Sequence, residues 1–306
     1  IKNIEKKKQE ELLYQASHDD VTKLHNRFSL DNSICLSNEH QPFWLILIDI
    51  DNFKSINTSY GNESGDQVLK IIGLRLSEHI KNNDVLVRYS GNEFILISYK
   101  QVTQDIKAFC EDVLQTIRKP YTFPWGNFIL TGSIGTSHYP TDGKNLDEVR
   151  LGAGLAMQIS KNSRNVATVF HESMRDEERY NSKLVQELKY GLDRNEFYMV
   201  YQPKVDFQGS LLGVEALVRW ENQSLGLVGP DKFISAAENS GDMISVGDFI
   251  IQQSLSDIVR MNNNSDKKLA LSVNISVKQF LEADFIEKLT LALEQTGFPP
   301  SNLVIE

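Results

Sequence analysis

The chain has 306 residues, 41% hydrophobic and 24% charged, which is an ordinary globular composition with room for two domains. Its formal net charge of −9 argues against a surface for duplex DNA or RNA, because such a surface needs a basic face to displace counterions. The longest apolar run, FWLILIDI, is interrupted by Asp49 and is far shorter than the roughly 18 residues of a membrane span.

Cysteine usage and the chain ends bear on location. Cys35 and Cys110 match no metal or redox spacing, which indicates packing roles in a reducing compartment. There is no signal peptide, and the chain begins at Ile1 rather than Met. We therefore expect a piece of a longer cytoplasmic protein, which includes the case of the cytoplasmic part of a membrane-anchored or sensor-linked protein.

Residues 1–17 form a predicted charged helix that leads into the first domain. Its apolar positions are Ile4, Leu12, Leu13 and Ala16. A solvated linker and the end of a dimeric coiled coil both fit this pattern, since too few heptads are present to separate them.

The first domain, residues 18–170, interleaves strands and helices. A hairpin is predicted from DVLVRY and EFILISYK, with Ser90, Gly91 and Asn92 at its tip. These elements predict an α+β sandwich, in which helices pack on an antiparallel sheet. The other predicted elements are the strand FWLILIDID, a helix with apolar positions at Val68, Leu69, Ile72, Leu74 and Leu76, a helix around Gln104 to Arg118, the strand NFILTGSIGTS, and a helix around Leu146 to Lys161.

Six motifs in this domain carry a family resemblance: HDDVTKLHNR, LIDIDNFKSIN, GNESGDQVL, RYSGNEF, SIG and KNSRN. In this order they resemble the GGDEF family of diguanylate cyclase domains. The resemblance implies a palm-like fold that condenses two GTP across a dimer, with metal held by two carboxylates, so we expect a homodimer. Asp49 matches the first metal ligand. The guanine-reading pair is matched by Asn57 and Asp66, and phosphate-side cations by Lys54, Lys161 and Arg164.

The hairpin signature departs from the family. Asn92 stands before Glu93 where the family keeps a metal-binding carboxylate, and an amide brings no charge to hold two cations against a triphosphate. The inhibitory product site reads Lys81-Asn82-Asn83-Asp84, in which lysine lacks the fork of arginine. We predict a degenerate domain without cyclase activity, which either binds GTP or serves as a scaffold. Its degenerate site comprises Asp49, Asn57, Asp66, Asn92, Glu93, Lys161 and Arg164.

Residues 171–182 form a charge-rich linker, predicted to be helical, before a second domain at residues 183–306. That domain opens with two β-rich runs, EFYMVYQPKV and SLLGVEALVRW. The turn around Asp206 to Ser210 is too short for a crossover helix, so the two strands must be antiparallel.

Three oxygen donors of the second domain stand at strand ends: Glu215, Asn274 and Glu306. The interval from Asn274 to Glu306 is close to the roughly 31 residues of one βα unit in a (β/α)₈ barrel, in which functional groups lie at the carboxyl ends of strands. Taken singly, Asn274 as a helix cap and Glu215 as the partner of Arg219 are the plain alternatives. Taken together, the three donors favour one hard-cation site.

The same stretches, with VGPDKFISAAENSGDMISVGDFIIQQSL, resemble the EAL family of cyclic di-GMP phosphodiesterases. The resemblance implies a (β/α)₈ barrel with an antiparallel first strand pair, which hydrolyses cyclic di-GMP to pGpG with Mg²⁺ or Mn²⁺. The metal ligands are matched by Glu215, Asn274 and Glu306, and the substrate contacts by Gln202, Leu217 and Arg219, with Arg219 toward phosphate.

The family places a paired Asp motif, a Lys and a further Glu on later strands, and the sequence stops at about the fourth of eight. We therefore expect the 306 residues neither to fold nor to turn over alone, and the catalytic prediction concerns the longer protein. Two hypotheses remain: a cyclic di-GMP phosphodiesterase with a regulatory GGDEF-like domain, and a non-enzymatic cyclic di-GMP receptor. An active cyclase is disfavoured by Asn92.

Overall fold

The structure is a computed structural model that describes residues 2–34, 41–81, 83–99, 106–264 and 268–306. The chain divides into two units, Ile1–Glu178 and Arg179–Glu306, and both contain helices and sheets, which confirms the predicted mixed α/β class. Three residues that carry predictions, Cys35, Asn82 and Gln104, lie outside the described ranges.

The first unit is built on a six-stranded sheet in the order β1, β3, β4, β2, β7, β8, with a separate pair formed by β5 and β6. Its strands are β1 (His25–Asn26), β2 (Phe43–Ile50), β3 (Val85–Ser90), β4 (Glu93–Ser98), β5 (Tyr121–Phe123), β6 (Gly126–Phe128), β7 (Gly132–Tyr139) and β8 (Ala167–Val169). Its helices are α1 (Lys2–Ser17), α2 (Arg27–Ser29), a π-helical turn (Leu30–Ile34), α3 (Phe53–Tyr60), α4 (Asn62–Ser77), α5 (Ile106–Arg118) and α6 (Leu146–Ser163). Helix α7 (Glu172–Gly191) spans the unit boundary and confirms the helix predicted there.

Strand β2 lies in the middle of the sheet, antiparallel to β4 and β7, and it is buried on both faces. Ile46, Ile48 and Ile50 belong to one core, with residues of α4 and α5, whereas Leu45 and Leu47 belong to a second core, with residues of α6. Burial on both faces explains why the run is continuously apolar rather than alternating.

The predicted hairpin is confirmed, because β3 and β4 pair antiparallel around a turn that contains Gly91 in a left-handed conformation. Helix α6 confirms the helix predicted around Leu146 to Lys161. It packs directly on β7, since a Cβ atom at Gly135 would lie 2.0 Å from the backbone oxygen of Ala153. Cys110 is buried in the core, as its predicted packing role requires.

The single strand predicted from NFILTGSIGTS is wrong. The stretch forms β6 and β7, which belong to different sheets. Between them, Thr131 donates its hydroxyl to the buried carboxylate of Asp51 (2.7 Å) and accepts the Asp51 amide on its carbonyl (2.9 Å). These two hydrogen bonds keep Thr131 out of strand β7. They form because a buried carboxylate such as that of Asp51 needs hydrogen-bond donors.

One of the five apolar positions predicted for α4 is also wrong. Val68, Leu69, Ile72 and Leu76 are buried, but Leu74 is 71% exposed. At about 100° per residue, Leu74 lies on the opposite side of the helix from its neighbours in the core.

Helix α1 ends beside two histidines. The ring of His18 stacks on Tyr14 at 3.9 Å between centroids and lies 4.6 Å from the ring of His25. His25 in turn contacts the Ser29 hydroxyl through Nδ1 (3.1 Å). Next to His18, the Asp19 carboxylate accepts from Thr22 and from the Arg88 guanidinium, which ties this segment to β3.

We predict that acid weakens this junction. Burial, followed by the neighbouring His18, lowers the pKa of His25. A histidine with a lowered pKa stabilises the folded contact while it is neutral, above about pH 6.5, and this stabilisation is lost as the pH falls toward the lowered pKa. Hydrogen exchange of residues 14–25, corrected for intrinsic rates, should therefore be faster at pH 5.5 than at pH 7.5. His25→Phe keeps a ring without a titrating group, so an equal pH effect in that variant would contradict the assignment.

The second unit contains a five-stranded sheet in which β10 lies beside β9, β11 and β12, and β12 lies beside β13. Its strands are β9 (Phe197–Val205), β10 (Leu211–Asn222), β11 (Gly226–Val228), β12 (Ala270–Val273) and β13 (Leu303–Ile305). Its helices are α8 (Pro230–Ser240), α9 (Met243–Asn263), α10 (Val277–Phe280), α11 (Phe285–Thr296) and a 3₁₀ turn (Pro300–Asn302).

Strands β9 and β10 pair antiparallel, which confirms the prediction from the short turn. Strand β12 pairs parallel with β10 on one side and with β13 on the other. One face of the sheet is covered by α8 and α9, and the core on that face is centred on Trp220, Phe197 and Phe233. None of the helices that the structure describes combines the length and apolar character needed to cross a bilayer.

Candidate functional site

Strand β10 separates structural from candidate functional side chains by alternation. Val214, Ala216 and Val218 are buried in the core, while Glu215, Leu217 and Arg219 are only half-buried. Because successive side chains of a strand point to opposite faces, the last three share the face opposite to these core residues. Substrate-sized groups can therefore reach them.

Glu215 contacts Asn274 across the sheet. The parallel register pairs Glu215 with Ser272, and Asn274 follows two residues later at the end of β12. The Asn274 amide donates through Nδ2 to Glu215 Oε1 at 2.8 Å. On the other side, Glu215 lies opposite Gln202, whose side chain is exposed. Three of the predicted residues thus come together on adjacent strands.

The two plain alternatives for these residues are wrong. The N-cap of α10 is Ser276, whose hydroxyl accepts from the Gln279 amide, and not Asn274. Arg219 donates through Nη1 to the Val218 carbonyl at 2.9 Å, and among the described residues it forms no ion pair with Glu215.

Glu306 reaches the same sheet through its backbone, which donates to the Val273 carbonyl and accepts from the Ile275 amide, on either side of Asn274. Its carboxylate accepts from the Lys204 ammonium, which also donates to Ser272 Oγ at 2.8 Å. The hydrogen bond from Lys204 and then that from Ser272 lower the pKa of Glu306. Within the described ranges, the Glu306 side chain shares no hydrogen bond with Glu215 or Asn274, so its present partners are Lys204 and Ser272.

A cavity of about 490 Å³ opens beside these residues, next to the middle of β10 and the carboxyl end of β12. Its apolar wall includes Leu217 and Ile234, and its polar lining includes Arg219, Glu238 and Asn274. Two predicted substrate contacts, Leu217 and Arg219, therefore lie with Asn274 around one space.

The first unit holds a second constellation at the end of β2. Asp49 is 6% exposed, and its carboxylate pairs with the Lys161 ammonium of α6 at 2.9 Å. Burial raises the pKa of Asp49, and the negative charges of Glu93 and Asp51 add to this effect, while the Lys161 hydrogen bond opposes it. Among the described residues, Lys161 is thus the cation that pairs with Asp49.

The hairpin tip brings Asn92 and Glu93 to Asp49. Glu93 lies opposite Asp49 in the β2–β4 register and accepts from the Ser90 hydroxyl at 2.5 Å. Asn92 donates through Nδ2 to the Ile50 carbonyl at 2.7 Å, and its own carbonyl accepts the Ile50 amide at 3.2 Å. Asn92 is therefore fixed to the backbone of β2.

Asn57 and Asp66 lie on the successive helices α3 and α4. A Cβ atom at Gly65 would lie 1.9 Å from Asn57 Oδ1, so the glycine before Asp66 makes room for the Asn57 side chain. That oxygen is buried and has no hydrogen-bond partner among the residues that the structure describes. The two remaining cations, Lys54 on α3 and Arg164 at the end of α6, are exposed.

The segment matching the inhibitory site has a structural role at its last residue. Asp84 accepts from the Lys81 amide (3.2 Å) and from the Tyr99 amide (3.0 Å), and it is buried. Its carboxylate thus serves the backbone of the β3–β4 edge.

Comparisons with known proteins agree with this division of the chain. One family model, described as "Diguanylate cyclase, GGDEF domain", matches residues 16–166, and another, "EAL domain", matches residues 185–306. The chain carries a GGDEF domain followed by an EAL domain.

Two curated relatives match nearly the whole chain. It is 30% identical over 303 residues to the "Bifunctional diguanylate cyclase/cyclic di-GMP phosphodiesterase MucR" of Pseudomonas aeruginosa, which covers 97% of this chain and 44% of MucR. It is 30% identical over 304 residues to the "Cyclic di-GMP phosphodiesterase NbdA" of the same organism, covering 96% of this chain and 39% of NbdA. The chain therefore spans less than half the length of these relatives.

A solved structure supports the fold of the tandem. The S helix-GGDEF-EAL structure of Vibrio cholerae LapD, described as bound to c-di-GMP, aligns with a TM-score of 0.56 over 100% of this chain and 72% of that one. At 15% sequence identity this likeness bears on the fold alone.

The donor types in the EAL domain fit a hard divalent cation. Glu215 and Glu306 offer carboxylate oxygens, and the hydrogen bond that fixes the Asn274 amide through Nδ2 leaves its carbonyl oxygen available. In the described part of the chain, no three histidine, cysteine or acidic side chains form a metal cluster. The set of Glu215, Asn274 and Glu306 is consistent with that finding, because it contains only two acidic side chains and its third member is an amide.

Three residues of these sites are absent from the predictions. In the EAL domain, Lys204 and Ser272 hold Glu306, and each lies two positions from a predicted residue, Gln202 or Asn274. In the GGDEF domain, Asp51 accepts from Thr131, Ser133 and the Asn165 amide. The alternation of a strand was the available signal in all three cases.

Proposed function

We propose that the full-length protein hydrolyses cyclic di-GMP to pGpG through its EAL domain. Mg²⁺ or Mn²⁺ would be held by Glu215, Asn274 and Glu306, and substrate by Gln202, Leu217 and Arg219. The supporting observation is the Glu215–Asn274 hydrogen bond beside a cavity lined by Leu217 and Arg219. Homologues named as cyclic di-GMP phosphodiesterases favour the same substrate.

The residues of the cavity suit different chemical parts of the substrate. Arg219 donates one of its five N–H groups to the Val218 carbonyl, so the other four remain available for a phosphate oxygen. Leu217 and Ile234 offer an apolar wall to a base or ribose, and the exposed amide of Gln202 can donate and accept beside Glu215.

A bound divalent cation supplies activation of water and neutralisation of phosphate charge, which phosphodiester hydrolysis needs because the negative phosphate repels hydroxide. Glu215 orients the Asn274 amide through their hydrogen bond. Lys204, on β9, orients Glu306 and balances its charge. Its second hydrogen bond, to Ser272 Oγ on β12, fixes the position of its ammonium group. These contacts preorganise the donors before any ligand arrives.

For the GGDEF domain we propose a regulatory role with GTP as ligand, no cyclase activity, and a homodimeric assembly. The neutral Asn92 amide supports the loss of cyclase activity, because it cannot replace a metal-binding carboxylate. The buried Asn57 oxygen without a partner supports a nucleotide ligand, because a guanine N–H can satisfy it.

The test of the enzymatic proposal is chromatography of cyclic di-GMP after incubation with the full-length protein and Mn²⁺. We expect pGpG to accumulate and to disappear when EDTA replaces Mn²⁺. Cyclic di-GMP or pppGpG formed in a separate incubation of the protein with GTP and Mg²⁺ would contradict the proposed loss of cyclase activity.

One observation favours a second candidate, a cyclic di-GMP receptor without hydrolysis. The Lys204 ammonium already neutralises Glu306, so this carboxylate has a cation without any metal. The receptor candidate predicts tight binding of cyclic di-GMP and no pGpG with Mn²⁺ present, which is the opposite outcome of the same assay.

A further inference from the structure

The cation at the GGDEF site comes from the chain itself. Asp49 stands between Ile48 and Ile50 on a strand buried on both faces, and the Lys161 ammonium reaches its Oδ2 from α6. A buried carboxylate needs such a partner, because an unpaired charge in this position is costly. Lys161 therefore supplies Asp49 with a positive partner at Oδ2 without any metal.

The oxygen donors at the hairpin tip lack the carboxylate that the GGDEF family keeps at the position of Asn92. Asn92 brings no charge, and both its side-chain nitrogen and its backbone carbonyl are bonded to Ile50. Glu93 accepts from Ser90. Among the residues that the structure describes, no three histidine, cysteine or acidic side chains form a metal cluster at this site.

The third acidic side chain, that of Asp51, is fully engaged in the fold. Its two oxygens accept from Thr131 Oγ1 at 2.7 Å, from Ser133 Oγ at 2.8 Å and from the Asn165 amide at 3.3 Å. Asp51 therefore links β2, β7 and the residues after α6, and a cation would compete with these three donors for its oxygens. The residues of this site therefore do not fit the two-carboxylate metal centre that the GGDEF resemblance implies.

The part of the site that meets a base is intact. Asn57 Oδ1 is buried without a partner, room for its side chain depends on Gly65, and Asp66 is half-buried at the next position. A guanine edge carries N–H donors that suit both oxygens, whereas adenine lacks the N1–H donor. The exposed cations Lys54 and Arg164 remain for phosphate.

We infer that this GGDEF domain binds GTP without a divalent cation. This inference rests on the proposed binding of GTP. Affinity comes from base recognition at Asn57 and Asp66 and from the exposed cations. The Lys161–Asp49 ion pair persists in the complex and takes the place of the metal.

The test is calorimetric titration of GTP into the full-length protein, once with excess EDTA and once with Mg²⁺. We expect the two dissociation constants to agree within about twofold. In Asn92→Asp, the added carboxylate creates a cation site, so Mg²⁺ should tighten GTP binding by about tenfold or more. Asn127→Asp, the same change at an exposed position of β6, should behave as the wild type.

The wild-type comparison needs no variant to fold. A tightening by Mg²⁺ in the wild type as large as in Asn92→Asp would overturn the inference, and so would the absence of GTP binding in both buffers. Asn57→Ala should abolish the heat of binding in both buffers if the heat arises at this domain. Formation of pGpG is scored separately, so a protein that binds GTP without metal but makes no pGpG contradicts the proposed hydrolysis alone.

Discussion

Replacing Glu215 by glutamine in the full-length protein should lower kcat for the hydrolysis of cyclic di-GMP by about a thousand-fold. Glutamine has nearly the same shape, and its carbonyl oxygen can still accept the hydrogen bond from Asn274. The substitution therefore removes the charge of one proposed metal ligand and little else. Weaker binding of Mn²⁺ should accompany the loss of activity, because a neutral amide attracts a divalent cation less than a carboxylate.

The matched control is Glu221→Gln, which makes the same chemical change at an exposed position of the same strand, β10. Its rate of pGpG formation should remain at the wild-type level, as should the thermal stability of both variants. A Glu215→Gln protein that keeps more than a tenth of the wild-type kcat, or a Glu221→Gln protein with an equal loss, would contradict the role proposed for Glu215.

The prediction that Glu215 stands at a strand end is wrong, because β10 runs from Leu211 to Asn222 and continues past it. Alternation within one strand is a local property, and it places Glu215, Leu217 and Arg219 on one face because Val214, Ala216 and Val218 are buried on the other. The antiparallel β9–β10 pair was predictable for a similar reason, since a short turn leaves no other geometry.

The partners across strands were not predictable in the same way. The contact of Lys204 with Glu306 depends on the register of β9 against β10 and of β12 against β13, and no local pattern specifies either register. The break between β6 and β7 likewise depends on Thr131 meeting Asp51, which is distant in sequence. Long-range hydrogen bonds to a buried carboxylate thus overrode an apolar pattern that favoured one strand.

Trp220 is the position in the EAL domain at which a substitution should cost the most stability. It is fully buried, its ring stacks on Phe197 at 5.3 Å and meets Phe233 edge-on at 5.8 Å. Its Nε1 donates to Glu196 Oε2 at 3.0 Å, and the same oxygen accepts from Asn222. Packing and a buried polar contact therefore depend on one side chain.

Trp220→Ala should lower the free energy of unfolding of the EAL domain by about 3–5 kcal/mol, since it leaves a cavity and removes a donor from a buried carboxylate. Trp220→Phe keeps a ring without the donor and should cost less. Pulse proteolysis in urea, with the EAL fragment followed by mass, measures this domain separately from the GGDEF domain. Phe207→Ala, at a fully exposed position of the β9–β10 turn, is the control and should leave the midpoint unchanged. If Trp220→Ala shifts the midpoint no more than Phe207→Ala does, then the core does not depend on Trp220. The buried and the half-buried faces assigned to β10 would then have to be exchanged, and Glu215 would move to the buried face.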